Sequence, residues 1–132
     1  MVELAVAGVG GLQASDIELQ RGGPSYSIDT VLEVMDDLGC DEPILIVGSD
    51  AAAGLDTWHR APELRALARI AVAGRGRDGG RPPAGWRWDH VEVPRIDVSS
   101  SDLRERLRSG RAVDGVVAPT VVDYIAQHEL YS

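Results

Sequence analysis

Apolar residues recur along this chain with two different spacings. Ile28, Val31, Leu32, Met35 and Leu38 stand three or four positions apart, which predicts a helix from Ile28 to Leu38 with one buried face. Ser27 can cap its start, and Gly39 can take the left-handed conformation that stops it. Ile44-Leu45-Ile46-Val47 is instead a continuous apolar run between Pro43 and Gly48, the pattern of a strand buried on both faces of a parallel sheet. Pro62 is placed to open a helix through Arg65, Leu67 and Ala68, and Ile70-Ala71-Val72-Ala73 reads as the next strand. Strand, helix and strand in this order make a βαβ unit.

The flanks carry weaker patterns. Met1 to Ala7 reads as the tail of a helix, and Ile17 and Leu19 alternate with Asp16 and Glu18, which predicts a short strand within Leu12 to Gln20. Arg21-Gly22-Gly23-Pro24 breaks the chain after it. Gly74 to Gly85 is a loop rich in Gly, Arg and Pro, and His90 to Val93 reads as a further strand. Ser101 to Arg108 and Pro119 to Gln127 are short amphipathic helices with Leu103/Leu107 and Val122/Ile125 facing inward. The sequence contains no repeat and no interdomain linker. It therefore predicts one domain, residues 1–132, built on an open, mostly parallel α/β sheet whose ligands lie beyond the C-terminal strand ends.

Composition narrows the function classes. The 132 residues are 44% apolar, enough for a buried core, and no apolar run approaches the roughly 18 residues a membrane span needs. Met1 to Ala7 lacks the basic start and long apolar stretch of a signal peptide, so a cytoplasmic protein is expected. The single cysteine, Cys40, excludes an intramolecular disulfide and a cysteine-rich metal site. A net charge of −8 argues against general nucleic-acid binding, because phosphate backbones repel an acidic surface. A small anionic ligand held by local donors remains compatible with that charge.

Four segments carry possible chemistry. Gly48-Ser49-Asp50 follows the apolar strand, where a glycine lets backbone approach a ligand and a carboxylate can meet ribose hydroxyls; the alternative is a turn with Asp50 as a helix cap. Ser99-Ser100-Ser101-Asp102-Leu103-Arg104 enters a helix, so its hydroxyls, N–H groups and guanidinium could cradle phosphate, or could simply cap. Trp58 could stack on a flat heteroaromatic ring or pack as an ordinary tryptophan. Gly23-Pro24-Ser25-Tyr26-Ser27 could offer N–H groups to a carboxylate, and also makes a good turn. Gly74-Arg75-Gly76-Arg77-Asp78-Gly79 fits G-x-G-x-x-G, but Gly80-Arg81-Pro82-Pro83 follows where a dinucleotide-binding loop must open a helix. His59, His90 and His128 lack the spacing of a zinc site.

In this order the segments resemble the bacterial nicotinate-nucleotide adenylyltransferases. The resemblance is carried by Asp16-Ile17-Glu18-Leu19 with Arg21 to Thr30, by Val47-Gly48-Ser49-Asp50, by Leu55 to Arg60, and by the strand ending at Arg75. It continues through Ile96 to Arg104, Gly110, Val122-Asp123-Tyr124-Ile125 and His128-Glu129-Leu130-Tyr131, and so spans essentially the whole chain. Ser27 and Ser101 stand where the family usually has threonine, and Leu103 where it has isoleucine.

The resemblance implies a Rossmann-like nucleotidyltransferase fold in which nicotinate mononucleotide attacks the α-phosphate of ATP. The products are deamido-NAD and pyrophosphate, and Mg²⁺ assists. It further implies that Trp58 stacks on nicotinate, that backbone N–H groups at Tyr26 and Ser27 bind its carboxylate, and that Gly48 and Asp50 line the nucleotide crevice. Ser100, Ser101 and Arg104 would hold ATP phosphates, with Arg75 nearby. The family's first strand, Gly-rich turn and His-x-Gly-His motif have no counterpart in the 132 residues. That implies a chain lacking its first strand and catalytic histidines, through an internal start or a true truncation, with less than about a hundredth of the activity of an extended version. Two alternatives stand beside this one: a non-catalytic nucleotide-binding remnant, and an adenylyltransferase for another acceptor such as nicotinamide mononucleotide or phosphopantetheine.

Overall fold

A computed structural model of the protein describes residues 1–74, 80–94 and 98–131. In chain order the elements are α1 (Val2–Val6), α2 (Ile17–Arg21), α3 (Ser27–Leu38), β1 (Ile44–Gly48), α4 (Ser49–Ala52), a 3₁₀ turn (Leu55–Thr57), α5 (Ala61–Leu67), β2 (Arg69–Gly74), β3 (Trp88–Glu92), α6 (Ser100–Arg108) and α7 (Pro119–Gln127). They divide into two compact units, Asp16–Arg95 and Met1–Ser15 with Ile96–Ser132.

The larger unit holds a parallel three-stranded sheet in the order β1-β2-β3. Leu45 pairs with Ile70 and Val47 with Val72, so the predicted βαβ unit is present and puts these four side chains on one sheet face. On that face Val47, Ile70 and Val72 are buried together with Ile28 and Val31 of α3 and Ala61 and Leu64 of α5. Ile28, Leu55, Leu64, Ile70 and Val72 are the largest fully buried side chains, each contributing about 1.5–3 kcal/mol by leaving water. Gly39 ends α3 in the left-handed conformation, with its N–H donating to Met35 O, as its position in the sequence predicts.

Three expectations fail here, each for a local reason. Leu12 to Gln20 contains no strand: Leu19 and Gln20 donate their N–H groups to Asp16 O at 2.8 and 3.0 Å, closing helix α2. Leu19 is 84% exposed, so its alternation with Ile17 did not mark a buried face. Ser27 does not cap α3; Tyr26 is the N-cap residue, without a side-chain bond, and Ser27 is the first helical residue. Finally, β1 is buried on one face only, since Ile44 and Ile46 are 62% and 73% exposed.

In the smaller unit α1 packs on α7, and Thr120 Oγ1 donates to Leu4 O at 3.0 Å. Val113, Val121 and Ile125 are buried, and Leu103 and Leu107 of α6 are half-buried. Pro119 opens α7 at the residue the sequence indicates. Among the described residues no helix is long and apolar enough to cross a membrane.

Candidate active site

At the C-terminal end of β1 the chain turns directly into α4, so Gly48 and Asp50 stand where open α/β sheets take their ligands. A Cβ built on Gly48 would lie 2.6 Å from Asp50 Oδ1. The carboxylate therefore folds back over a backbone left bare by the missing side chain. Asp50 is not a cap: Gly48 holds the N-cap position of α4 and Asp50 lies one residue inside the helix. The strand end is crowded from the other side as well. A Cβ on Gly80 would come within 2.2 Å of Ser49 O, which forces glycine there.

Tyr26 and the Trp58–Arg60 loop, distant in sequence, meet directly. The rings of Tyr26 and His59 stack with centroids 4.1 Å apart and planes inclined by 27°. Arg60 Nη1 donates to Asp29 Oδ1 at 2.8 Å, tying the same loop to the first turn of α3. Trp58 is half-buried and packs against the core cluster, so it is anchored along one side. The 3₁₀ turn before it is held by Trp86, whose Nε1 donates to Asp56 Oδ1 at 2.8 Å. Tyr26 O accepts the N–H groups of Asp29 and Thr30 at 3.0 and 3.2 Å. Ser27 and Ile28 precede these donors, and a helix supplies no acceptor of its own to N–H groups at its first positions.

Arg60 concentrates several roles. It sits at φ 53, ψ 37, an uncommon conformation for a residue other than glycine, and caps α5 by accepting from Glu63 and Leu64 through its carbonyl. Its guanidinium also grips Glu63 through two hydrogen bonds of 3.0 and 2.6 Å. That hydrogen bonding holds the Glu63 carboxyl below its ordinary range and raises Arg60 above its own.

The start of α6 is built locally. Ser99 Oγ accepts from Asp102 N at 3.1 Å, so one of the three consecutive hydroxyls is used in capping. Ser100 and Ser101 follow as the first two helical residues. Arg106 Nη2 pairs with Asp102 at 2.8 Å, while the Arg104 guanidinium lies 5.8 Å from the centre of the Tyr131 ring. Ser100 and Arg104 share the lining of a cavity of about 190 Å³ with Leu103, Leu107, Val117 and Tyr131. A larger cavity of about 520 Å³ is lined by Leu107, Val122, Ile125, Leu130 and their neighbours, and contains none of the predicted phosphate ligands.

The structure thus joins Tyr26 and Ser27 to the Trp58 loop in one unit, which also holds Gly48 and Asp50. It brings Ser100 and Arg104 to one cavity in the other. Arg75 lies outside the described residues. Sequence reading overlooked His59 as a stacking partner, the Asp29–Arg60 pair and the Asp56–Trp86 bond. Each joins residues about thirty positions apart, and no local spacing signals them.

Comparison with known proteins decides the family. No family model matches the chain. A Herpetosiphon aurantiacus protein assigned as a nicotinate-nucleotide adenylyltransferase is 38% identical over 99% of this chain and 70% of its own length. Relatives with the same assignment from a Roseiflexus species and Oceanobacillus iheyensis are 38% and 34% identical, again over 99% of this chain, which spans 69% and 68% of them. The chain belongs to the nicotinate-nucleotide adenylyltransferase family. Solved structures agree on the fold. The Plasmodium falciparum nicotinic acid mononucleotide adenylyltransferase complexed with APC aligns with a TM-score of 0.59 at 16% identity, covering 83% of this chain and 60% of that one. A Vibrio parahaemolyticus protein assigned to the same enzyme aligns at 0.64 and 16% identity, over 98% of this chain and 66% of that one. The α/β fold expected for nicotinate-nucleotide adenylyltransferases is thus present, with a parallel Rossmann-like sheet.

Proposed function

We propose that this chain carries substrate-binding parts of an enzyme that transfers AMP from ATP to nicotinate mononucleotide, releasing pyrophosphate and forming deamido-NAD. What supports the reading is the meeting of Tyr26 and Asp29 with His59 and Arg60, beside Trp58. It unites the two segments that the resemblance assigns to nicotinate. Trp58 has one side on the core and would offer the other to the pyridine ring. The first N–H groups of α3, at Ser27 and its neighbours, would receive the ring carboxylate, a preference that an amide substrate does not satisfy. Gly48 and Asp50 would line the nucleotide crevice, with the Asp50 carboxylate offered to ribose hydroxyls.

Ser100, Ser101 and Arg104 would hold the phosphates of ATP, with Arg75 contributing nearby. Mg²⁺ would enter on those phosphates as part of the substrate, since it binds through few protein ligands and keeps much of its water. The reaction needs no protein nucleophile: a substrate phosphate oxygen attacks the α-phosphorus, and pyrophosphate leaves with the electron pair of the broken bond. The protein's contribution is to align the reactants and neutralise charge. The reading places the protein in the cytoplasm, with no nucleic-acid partner.

Titration calorimetry with deamido-NAD, together with pyrophosphate release from ATP and nicotinate mononucleotide, tests this. Trp58→Ala should weaken deamido-NAD at least tenfold, and Arg104→Ala should weaken ATP without changing affinity for nicotinate mononucleotide. No heat with deamido-NAD, or a preference for nicotinamide mononucleotide, would overturn the assignment.

A further inference from the structure

Because α2 is a helical turn and not a strand, Glu18 and Arg21, three positions apart, stand on one face of it. Thr30 and Glu33 have the same spacing on α3. The two pairs interlock. Arg21 Nη1 donates to Thr30 Oγ1 at 3.3 Å, and Thr30 Oγ1 donates in turn to Glu18 Oε1 at 2.7 Å. Arg21 Nη2 also donates to Glu33 Oε2. One hydroxyl thus accepts from a cation and donates to a carboxylate, both from α2, and clasps the two helices together. Between them the chain from Gly22 to Tyr26 lies exposed, and Gly22 and Gly23 both have positive φ, 66 and 74. Glycine brings the widest backbone freedom of any residue, so this turn depends on what holds its two ends. The stack on His59 holds the ring of Tyr26, but not the peptide that precedes it. Ser25 Oγ reaches Glu18 O only at 3.5 Å. The clasp at the base of the turn is the firmer tie.

The substrate assignment aims two N–H groups at the pyridine carboxylate, those of Tyr26 and Ser27, and they are anchored differently. The N–H of Ser27 stands beside Ile28, which is fully buried, so the core directs it. The N–H of Tyr26 belongs to the exposed turn. A carboxylate has an acceptor oxygen for each of two donors. A carboxamide has one oxygen, and its NH₂ group would meet the second donor hydrogen against hydrogen. That second donor therefore separates the acid from the amide, and it is the one whose direction the turn sets. We propose that Thr30, held between Arg21 and Glu18, is a positioning residue that fixes the Tyr26 N–H and thereby sets the preference for the acid over the amide. The inference rests on the assignment of this turn to nicotinate; Thr30 touches no substrate and acts through the turn. Exposed charge pairs of this kind add little to stability, so the consequence of the clasp lies in direction and not in folding.

Calorimetry on the 132-residue chain, with nicotinate mononucleotide and nicotinamide mononucleotide as the two ligands, tests this. Thr30→Val keeps the shape of the side chain and removes its hydroxyl. It should weaken the acid about tenfold and leave the amide within about twofold. Thr30→Ser returns the hydroxyl and should return the affinity for the acid. Arg21→Met should reproduce Thr30→Val, and the two together should be no worse than either, as one interacting unit requires. Backbone order parameters from Gly22 to Tyr26 should fall from about 0.85 to below about 0.6 in Thr30→Val, with α3 unchanged from Ile28 onward. The urea midpoint should move little. Equal weakening of acid and amide would make the clasp a support for folding alone and overturn the proposal, as would full acid preference in Thr30→Val. In both cases the unaltered chain still prefers the acid, so the substrate assignment stands. An unaltered chain without that preference would sink the assignment and this inference together.

Discussion

The two candidate substrate regions are held in place by different means. Around Trp58, the contacts cross about thirty residues of chain: Tyr26 on His59, Asp29 with Arg60, Asp56 with Trp86. At the start of α6, Ser99 holds the N–H of Asp102 three residues on, and Asp102 pairs with Arg106 four residues on. The first region has fully buried side chains beneath it, including Leu55 and Leu64, whereas α6 has none. Donors at a helix start need only a cap, but a ring pocket needs walls brought from separate elements. The first region should accordingly be lost cooperatively with the core, and the second eroded one contact at a time.

The largest effect should follow from attacking the core of the larger unit. Ile70→Ala removes a fully buried side chain next to both neighbouring strands and should cost about 2–5 kcal/mol in urea unfolding. It should also abolish the Tyr26–His59 contact, seen as a change in His59 imidazole shifts. Persistence of that contact in a destabilised chain would break the comparison. Gly80→Ala comes next. Its new Cβ must displace Ser49 O, at an expected cost of about 1–3 kcal/mol and with altered ligand affinity at Asp50.

Trp86→Phe sharpens the same point without opening a large cavity. It leaves Asp56 without the indole N–H, and should cost about 1–3 kcal/mol while raising KM for nicotinate mononucleotide more than it lowers kcat. Ser99→Ala, by contrast, should cost about 1 kcal/mol, be confined to α6 in amide exchange, and leave the Trp58 region unchanged.

Acid should produce the smallest change. Hydrogen bonding from Arg60 and Arg69 depresses the Glu63 and Asp89 carboxyls, so their contributions are complete above the unfolded carboxylate pKa values and are lost as pH falls through the lower folded ones. Carboxyl NMR titration should find both groups below their ordinary range, and Arg69→Ala should return Asp89 alone toward it.

Elements whose signals are local were legible in advance. The α3 stripe with Gly39, the apolar runs of β1 and β2, Pro119 at the start of α7 and the serines before α6 all specify their elements through neighbouring backbone. The failures came where a local pattern fits two outcomes. Ile17 and Leu19 satisfy a strand period, yet Asp16 O gathers two N–H groups into a helical turn. The β1 run predicts two covered faces, but covering requires another element, and Ile44 and Ile46 lie open.

By itself, then, the sequence determined the α/β alternation, the parallel pairing of β1 with β2 and the family, because periodicity, caps and ordered motifs act over a few residues. Only the tertiary structure decided that Tyr26 stacks on His59, that Arg60 spans Asp29 and Glu63, and that β1 has one bare face. Such contacts depend on chain closure over tens of residues, and the free energy that selects among closures comes from the whole core and not from any one segment.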